Sequence, residues 1–124
     1  MGDTIVWADI PVTDMDRAVK FYSHVTQQEV ALMPGSNDGV AVIGSTPTGE
    51  EPIVSADLYL GGKPSHDGST VYLRGGGDID GVLARVAEAG GTILEAKKFM
   101  GDVVGWIAFF EDSEGNRIGV QQSA

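Results

Sequence analysis

The sequence contains no cysteine. That excludes a disulfide framework and any chemistry run by a thiolate. No apolar run approaches the ~20 residues that cross a bilayer as a helix. The first residues carry no basic-then-apolar leader, so the cytoplasm is the expected location. Basic residues are also scarce. Only 8 Lys and Arg stand against 18 Asp and Glu, for a formal net charge of −10. A nucleic-acid-binding surface needs the opposite sign, and an anionic membrane would repel this one. The charge serves solubility, and it also fits a cationic or polar neutral small molecule as partner. The glycine triplet Gly75–Gly77 matches neither phosphate-loop pattern and reads as a strand-to-helix joint. There is no G-x-S-x-G, and no His stands where it would activate Ser55 or Thr70, so nucleophilic catalysis is not indicated.

What is present is a single-domain length of 124 residues with 42% apolar content, enough for one core. The organising stretch is 5–22, IVWADIPVTDMDRAVKFY. It opens in strict alternation, with Val6, Ala8, Ile10 and Val12 on one face and Trp7 and Asp9 on the other. At Thr13–Asp14 the period changes. Met15, Ala18, Val19, Tyr22 and Val25 then recur at helical spacing, with Thr13 or Asp14 able to cap the first turn. A second copy of this plan runs over 69–86. Asp14 and Asp78 lie 64 positions apart, as do Asp16 and Asp80, so the chain reads as a tandem duplication.

Taken in order, the first half predicts strands at 4–12, 28–33, 40–44 and 53–60, with a helix at 14–26. A turn at 34–39 and a loop at 45–52 join its later strands. The second half predicts strands at 70–74, 92–96, 105–111 and 117–121, with a helix at 78–89 stopped by Gly90–Gly91. A loop at 97–102 and a turn at 112–116 complete it. The result is an α+β chain of two βαβββ modules, about 4–60 and 70–121, joined by a connector at 61–69 within one domain.

Alternation also sorts the later strands. Val54, Ala56 and Leu58 face the first core, leaving Ser55, Asp57 and Tyr59 opposite. In the second half, helix-facing Val71 and Leu73 leave Thr70, Tyr72 and Arg74. Helix-facing Ile118 and Val120 leave Gly119 and Gln121. In strand 105–111 the choice between Trp106/Ala108/Phe110 and Ile107/Phe109 stays open.

Three segments resemble the vicinal oxygen chelate superfamily of glyoxalases, extradiol dioxygenases and fosfomycin- and bleomycin-resistance proteins. They are IPVTDMDRAVKFY at 10–22, DIDGVLARVAEAGG at 78–91 and FFEDSEGNRIGV at 109–120. The last is similar to that family's closing D-P-x-G-N-x-I-E-L signature. The resemblance implies mixed sheets curved into a cup, helices outside and a small molecule within. It also implies a homodimer. The cup-lining candidates are then Trp7, Asp9, Ser55, Asp57, Tyr59, Thr70, Tyr72, Arg74 and Gln121. Asp9 and Asp57 could be an acid–base pair, or Arg74 could neutralise one of them. Trp7 could stack on an aromatic ligand or simply fill space.

Metal-dependent members of the family hold a divalent ion on first- and fourth-strand His and Glu. Carried over by position, those places fall on Trp7, on Val71 or Thr70, near Ser55 with Asp57 two residues on, and on Gly119. None except Asp57 suits a transition metal. His24 lies off the helical stripe, and His66 sits in the connector. The expectation is therefore a drug-binding protein or metal-independent enzyme, with no metal and no other cofactor. The alternatives are a divalent-metal-dependent glyoxalase-type lyase, isomerase or dioxygenase, and a non-catalytic structural or regulatory partner.

Overall fold

The computed structural model describes residues 4–45, 52 and 54–124. The fold is α+β and consists of two units, one running to Pro64 and the other from Ser65. Each has the order β-α-β-β-β. The first holds β1 (Trp7–Val12), α1 (Met15–Thr26), β2 (Val30–Leu32), β3 (Val40–Ile43) and β4 (Ser55–Leu60). The second holds β5 (Tyr72–Arg74), α2 (Ile79–Glu88), β6 (Thr92–Phe99), β7 (Trp106–Glu111) and β8 (Arg117–Gln122). Their sheets have matching orders, β1-β4-β3-β2 and β5-β8-β7-β6, with the first pair parallel in each and the rest antiparallel.

The duplicated aspartates do the same work in both modules. The Asp14 carboxylate accepts from the Arg17 N–H and that of Asp78 from the Gly81 N–H, each at 3.0 Å. Each caps the first turn of its helix and favours the positive end of the helix dipole. The α2 stop is the expected glycine pair: Gly90 sits at φ 93° and the Gly91 N–H reaches back to the Val86 carbonyl.

In the first module Ile10, Val12, Ala56 and Leu58 are buried on the sheet face that receives Met15, Ala18, Phe21, Tyr22 and Val25 of α1. Phe21 is a full member of that stripe, packed edge-on to Tyr22 at 5.1 Å, whereas Val19 is only half-buried. Val6 and Val54, expected in the core, are 62% and 48% exposed. Both precede the first paired residues, Trp7 and Ser55, so the alternation is right but the sheet has not yet begun. The expected loop at 45–52 falls largely outside the described residues, as does Ile53.

In the second module Ala108, Phe110, Ile118 and Val120 are buried with Ile79, Val82, Leu83 and Val86 of α2. This resolves the choice in β7: Ala108 and Phe110 face the helix, and Ile107 and Phe109 face away. β6 runs on to Phe99, through the first half of the loop expected at 97–102. Every one of its residues is exposed, and its pairing is broken twice by register shifts. Such an edge strand has no buried face to print an alternation, and its lysines and bulges discourage further pairing. The 112–116 turn is built on one buried carboxylate. Asp112 Oδ1 accepts from the N–H groups of Glu114, Gly115 and Asn116 at 2.8–2.9 Å, and Oδ2 from the Asn116 side chain.

Candidate functional site

The residues left opposite the helices divide between the modules. In the first, parallel pairing of β1 with β4 sets Trp7 beside Ser55, Asp9 beside Asp57, and Pro11 beside Tyr59. The Trp7 indole N–H donates to Asp57 Oδ2 at 2.8 Å. Asp57 is only 7% exposed, and its other oxygen, Oδ1, is buried with no hydrogen-bond partner among the described residues. A buried carboxylate with an orphaned oxygen is costly. Burial accordingly pushes the Asp57 carboxyl up from 3.8 to about 6. The Trp7 hydrogen bond pulls the other way, while the neighbouring Asp9 adds to the rise.

A proton on Oδ1 would satisfy both groups, because Asp57 could then donate to the Asp9 carboxylate. A carboxyl titrating near neutrality can also hold and release a proton at pH 7, as a general acid or base must. The other two members of the set are committed elsewhere. Ser55 Oγ donates to the Ile43 carbonyl at 2.8 Å, and the Tyr59 ring lies against Gly62 and Pro11.

In the second module the pairings form two rows on the face away from α2. Tyr72, Gly119 and Phe109 make one row, and Arg74, Gln121 and Ile107 the other. The Tyr72 ring lies across Gly119 and meets Phe109 edge-on at 5.7 Å. Arg117 covers Phe109 from another side, its guanidinium carbon 3.9 Å from the ring centre. The same guanidinium donates to Thr70 Oγ1 at 3.0 Å, so Thr70 serves this bracket. The second row opens onto a cavity of about 530 Å³, lined by Tyr72, Leu73, Arg74 and Gln121 and, from the β6–β7 hairpin, by Met100, Val104 and Ile107. Gln121 ties that hairpin to β8, its Nε2 donating to the Val104 carbonyl at 2.6 Å. Neither Met100 nor Val104 was foreseen from sequence, since both lie beyond any readable alternation.

The two histidines are elsewhere. His24 is exposed on α1, and His66 is paired with Glu111 at 2.6 Å. Among the described residues no three His, Cys, Asp or Glu side chains come together as a metal site. The positions at which the resemblance implies ligands do not fit a metal. The Trp7 indole donates an N–H and has no lone pair to offer. Register makes Tyr72, not Val71 or Thr70, the partner of Gly119, just as Trp7 is the partner of Ser55. Gly119 has no side chain, and a Cβ there would stand 2.5 Å from Tyr72 Cδ1. Two aromatic residues thus occupy the equivalent first-strand places.

Comparison with known proteins agrees with this architecture. The chain superposes on a glyoxalase/bleomycin resistance protein from Albidiferax ferrireducens T118 with a TM-score of 0.72 at 21% identity, covering 98% of this chain and 100% of the other. TnmS3, an antibiotic binding protein from Streptomyces sp. CB03234, gives 0.63 at 22% identity, with 99% and 98% covered. A glyoxylase/bleomycin resistance protein/dioxygenase domain from Frankia sp. EAN1pec gives 0.68 at 21%, with 100% and 93% covered. At these identities the likeness is one of fold. No curated protein matches the sequence. A family model matches residues 4–120, nearly the whole chain, and the chain belongs to the Glyoxalase/Bleomycin resistance protein/Dioxygenase superfamily.

Proposed function

We propose that this protein binds a small organic molecule without a metal ion. The observation that carries the reading is the cavity on the second module, with apolar walls and a few polar groups in the form of Arg74, Gln121 and the Tyr72 hydroxyl. A site of about 530 Å³ is in the size range of drug-sized ligands. Membership of a superfamily that includes bleomycin resistance proteins supports it, as does the fold shared with an antibiotic binding protein. The metal-free part rests on the donor sets. Trp7 and Tyr72 stand at the first-strand places, and Gly119 has no side chain. The superfamily's homodimeric habit belongs to this reading and is checked by light scattering.

The test has two arms. Elemental analysis of protein purified without chelator should find well under one Zn, Ni, Mn or Fe per chain. A stoichiometric metal would end the metal-free reading. A thermal-shift screen of compounds with a flat or apolar body should give hits. A ligand at ten times its Kd stabilises by about 1.4 kcal/mol, which raises Tm by several degrees in a domain of this size. A second reading, a metal-independent enzyme, draws on Asp57. Its carboxyl is raised to about 6 beside Asp9, in the range that general acid–base catalysis uses. Turnover of a bound compound that Asp57→Asn abolishes without weakening binding would establish it.

A further inference from the structure

The cavity of the second module has a charge character opposite to that of the whole chain. Acids outnumber bases 18 to 8 in the sequence, yet no Asp or Glu lines this site. Arg74 is its one charged residue, and its guanidinium forms no ion pair or hydrogen bond among the described residues. The Tyr72 hydroxyl is likewise without a hydrogen-bond partner among them. Gln121 differs in part, because one of its two amide N–H donors is spent on the Val104 carbonyl. The site therefore offers unused donors from two side chains two residues apart on β5, which share a sheet face. The Gln121 amide oxygen is the only side-chain acceptor besides the Tyr72 oxygen itself.

A planar guanidinium beside a hydroxyl suits two-point recognition of a carboxylate, which a single point charge does not match. The opposite wall is Met100, Val104 and Ile107. It carries no polar group that would reward a second charge, and its low polarity strengthens an ion pair at Arg74. The Tyr72 ring is braced edge-on by Phe109, so its hydroxyl is held in place.

We infer that this pocket takes a monoanion with an apolar body, an aryl or alkyl carboxylate whose head lies on Arg74 and Tyr72 and whose body lies on Met100, Val104 and Ile107. The inference rests on the binding reading given above for the same pocket. It reverses the preference for cations that the net charge suggests, because the residues that line the pocket set recognition and no acid is among them.

The test uses the full chain and three probes that share one body: 4-phenylbutanoate, 4-phenylbutanamide and 4-phenylbutylamine, measured by calorimetry at pH 7.5. The carboxylate should bind at least tenfold tighter than the amide, and the amine weakest. Arg74→Gln should reduce the carboxylate by roughly 10–100-fold, the loss expected for a hydrogen-bonded charge. The same variant should change the amide far less, by no more than about threefold, because a neutral head forms no ion pair with Arg74. Arg74 is exposed at the end of β5, and an unchanged Tm verifies that the variant is folded. Tyr72→Phe keeps the ring over Gly119 and removes only the hydroxyl, so it should cost the carboxylate a further few-fold. Equal binding of acid and amide, or tightest binding of the amine, would overturn the anion inference and leave the pocket reading standing. Failure of all three probes at millimolar concentration would overturn both.

Discussion

Asp57→Asn should make the protein more stable at pH 8 and leave it nearly unchanged at pH 4. Asp57 is buried, holds the Trp7 N–H on one oxygen and leaves the other without a donor. Its carboxyl is pushed up to about 6 from 3.8, chiefly by burial and further by Asp9. The raised value fixes the sign. Between pH 3.8 and 6 the folded protein binds more protons at this site than the unfolded chain. The contribution of Asp57 is thus fully present below 3.8 and is lost as the pH rises through 6. The loss is on the order of 3 kcal/mol at 1.36 kcal/mol per unit.

Asparagine removes the charge and keeps both contacts, since its oxygen can accept from Trp7 and its amide can donate to Asp9. Asp9 is the one titratable residue paired beside Asp57 among the described residues. The pairing partner of Asp57 on β3 is Val42, and on β1 it is Asp9. Urea unfolding at pH 4 and pH 8 should therefore show a gain of about 1–3 kcal/mol at the higher pH only, with a flatter profile for the variant. Parallel profiles for the two proteins would mean that Asp57 ionises in the folded state without penalty.

Several of these features are written in the sequence and several are not. The pairing of Asp9 with Asp57 follows from two alternations and one parallel register, and the alternations are visible in IVWADIPV and VSADLYL. The helix caps at Asp14 and Asp78 are equally local, because one side chain reaches the backbone three residues on. Depth is less visible than face. Alternation assigns Val6 and Val54 to the correct side, but it cannot say that pairing starts one residue later. Exposed elements are hardest of all. β6 has no inside, so its extension to Phe99 leaves no periodic trace, and neither does the arrival of Met100 and Val104 at the cavity. The link from Trp7 to Asp57 spans 50 residues, and nothing in the spacing shows that an indole would satisfy a buried acid. The same holds for Tyr72 over Gly119. A glycine reports that a side chain is missing there, and only the packed sheet reveals what fills the space.

That filled space leads to the second large effect: Gly119→Glu should destabilise the protein by about 3–5 kcal/mol rather than create a metal ligand. A Cβ at this buried position would stand 2.5 Å from Tyr72 Cδ1 and 2.7 Å from Cε1, so the ring must leave. Overpacking of this kind costs typically 1–3 kcal/mol. The introduced carboxylate would also be driven between the rings of Tyr72 and Phe109, where its desolvation adds a further penalty that the Arg117 guanidinium over Phe109 offsets only in part. Gly119→Ala isolates the steric part and should cost about 1–3 kcal/mol. Tyr72→Ala alone should be milder, about 1–2 kcal/mol, because the ring is 50% exposed and its main loss is the edge-on contact with Phe109. Combining Tyr72→Ala with Gly119→Glu should then be more stable than Gly119→Glu by itself, a coupling of about 2 kcal/mol between residues paired across β5 and β8. Chemical denaturation of the four proteins measures that cycle. Strict additivity would show that Tyr72 yields freely and does not fill the place of the missing side chain. Tight zinc binding by Gly119→Glu with Tyr72 intact would show instead that this place still accepts a metal.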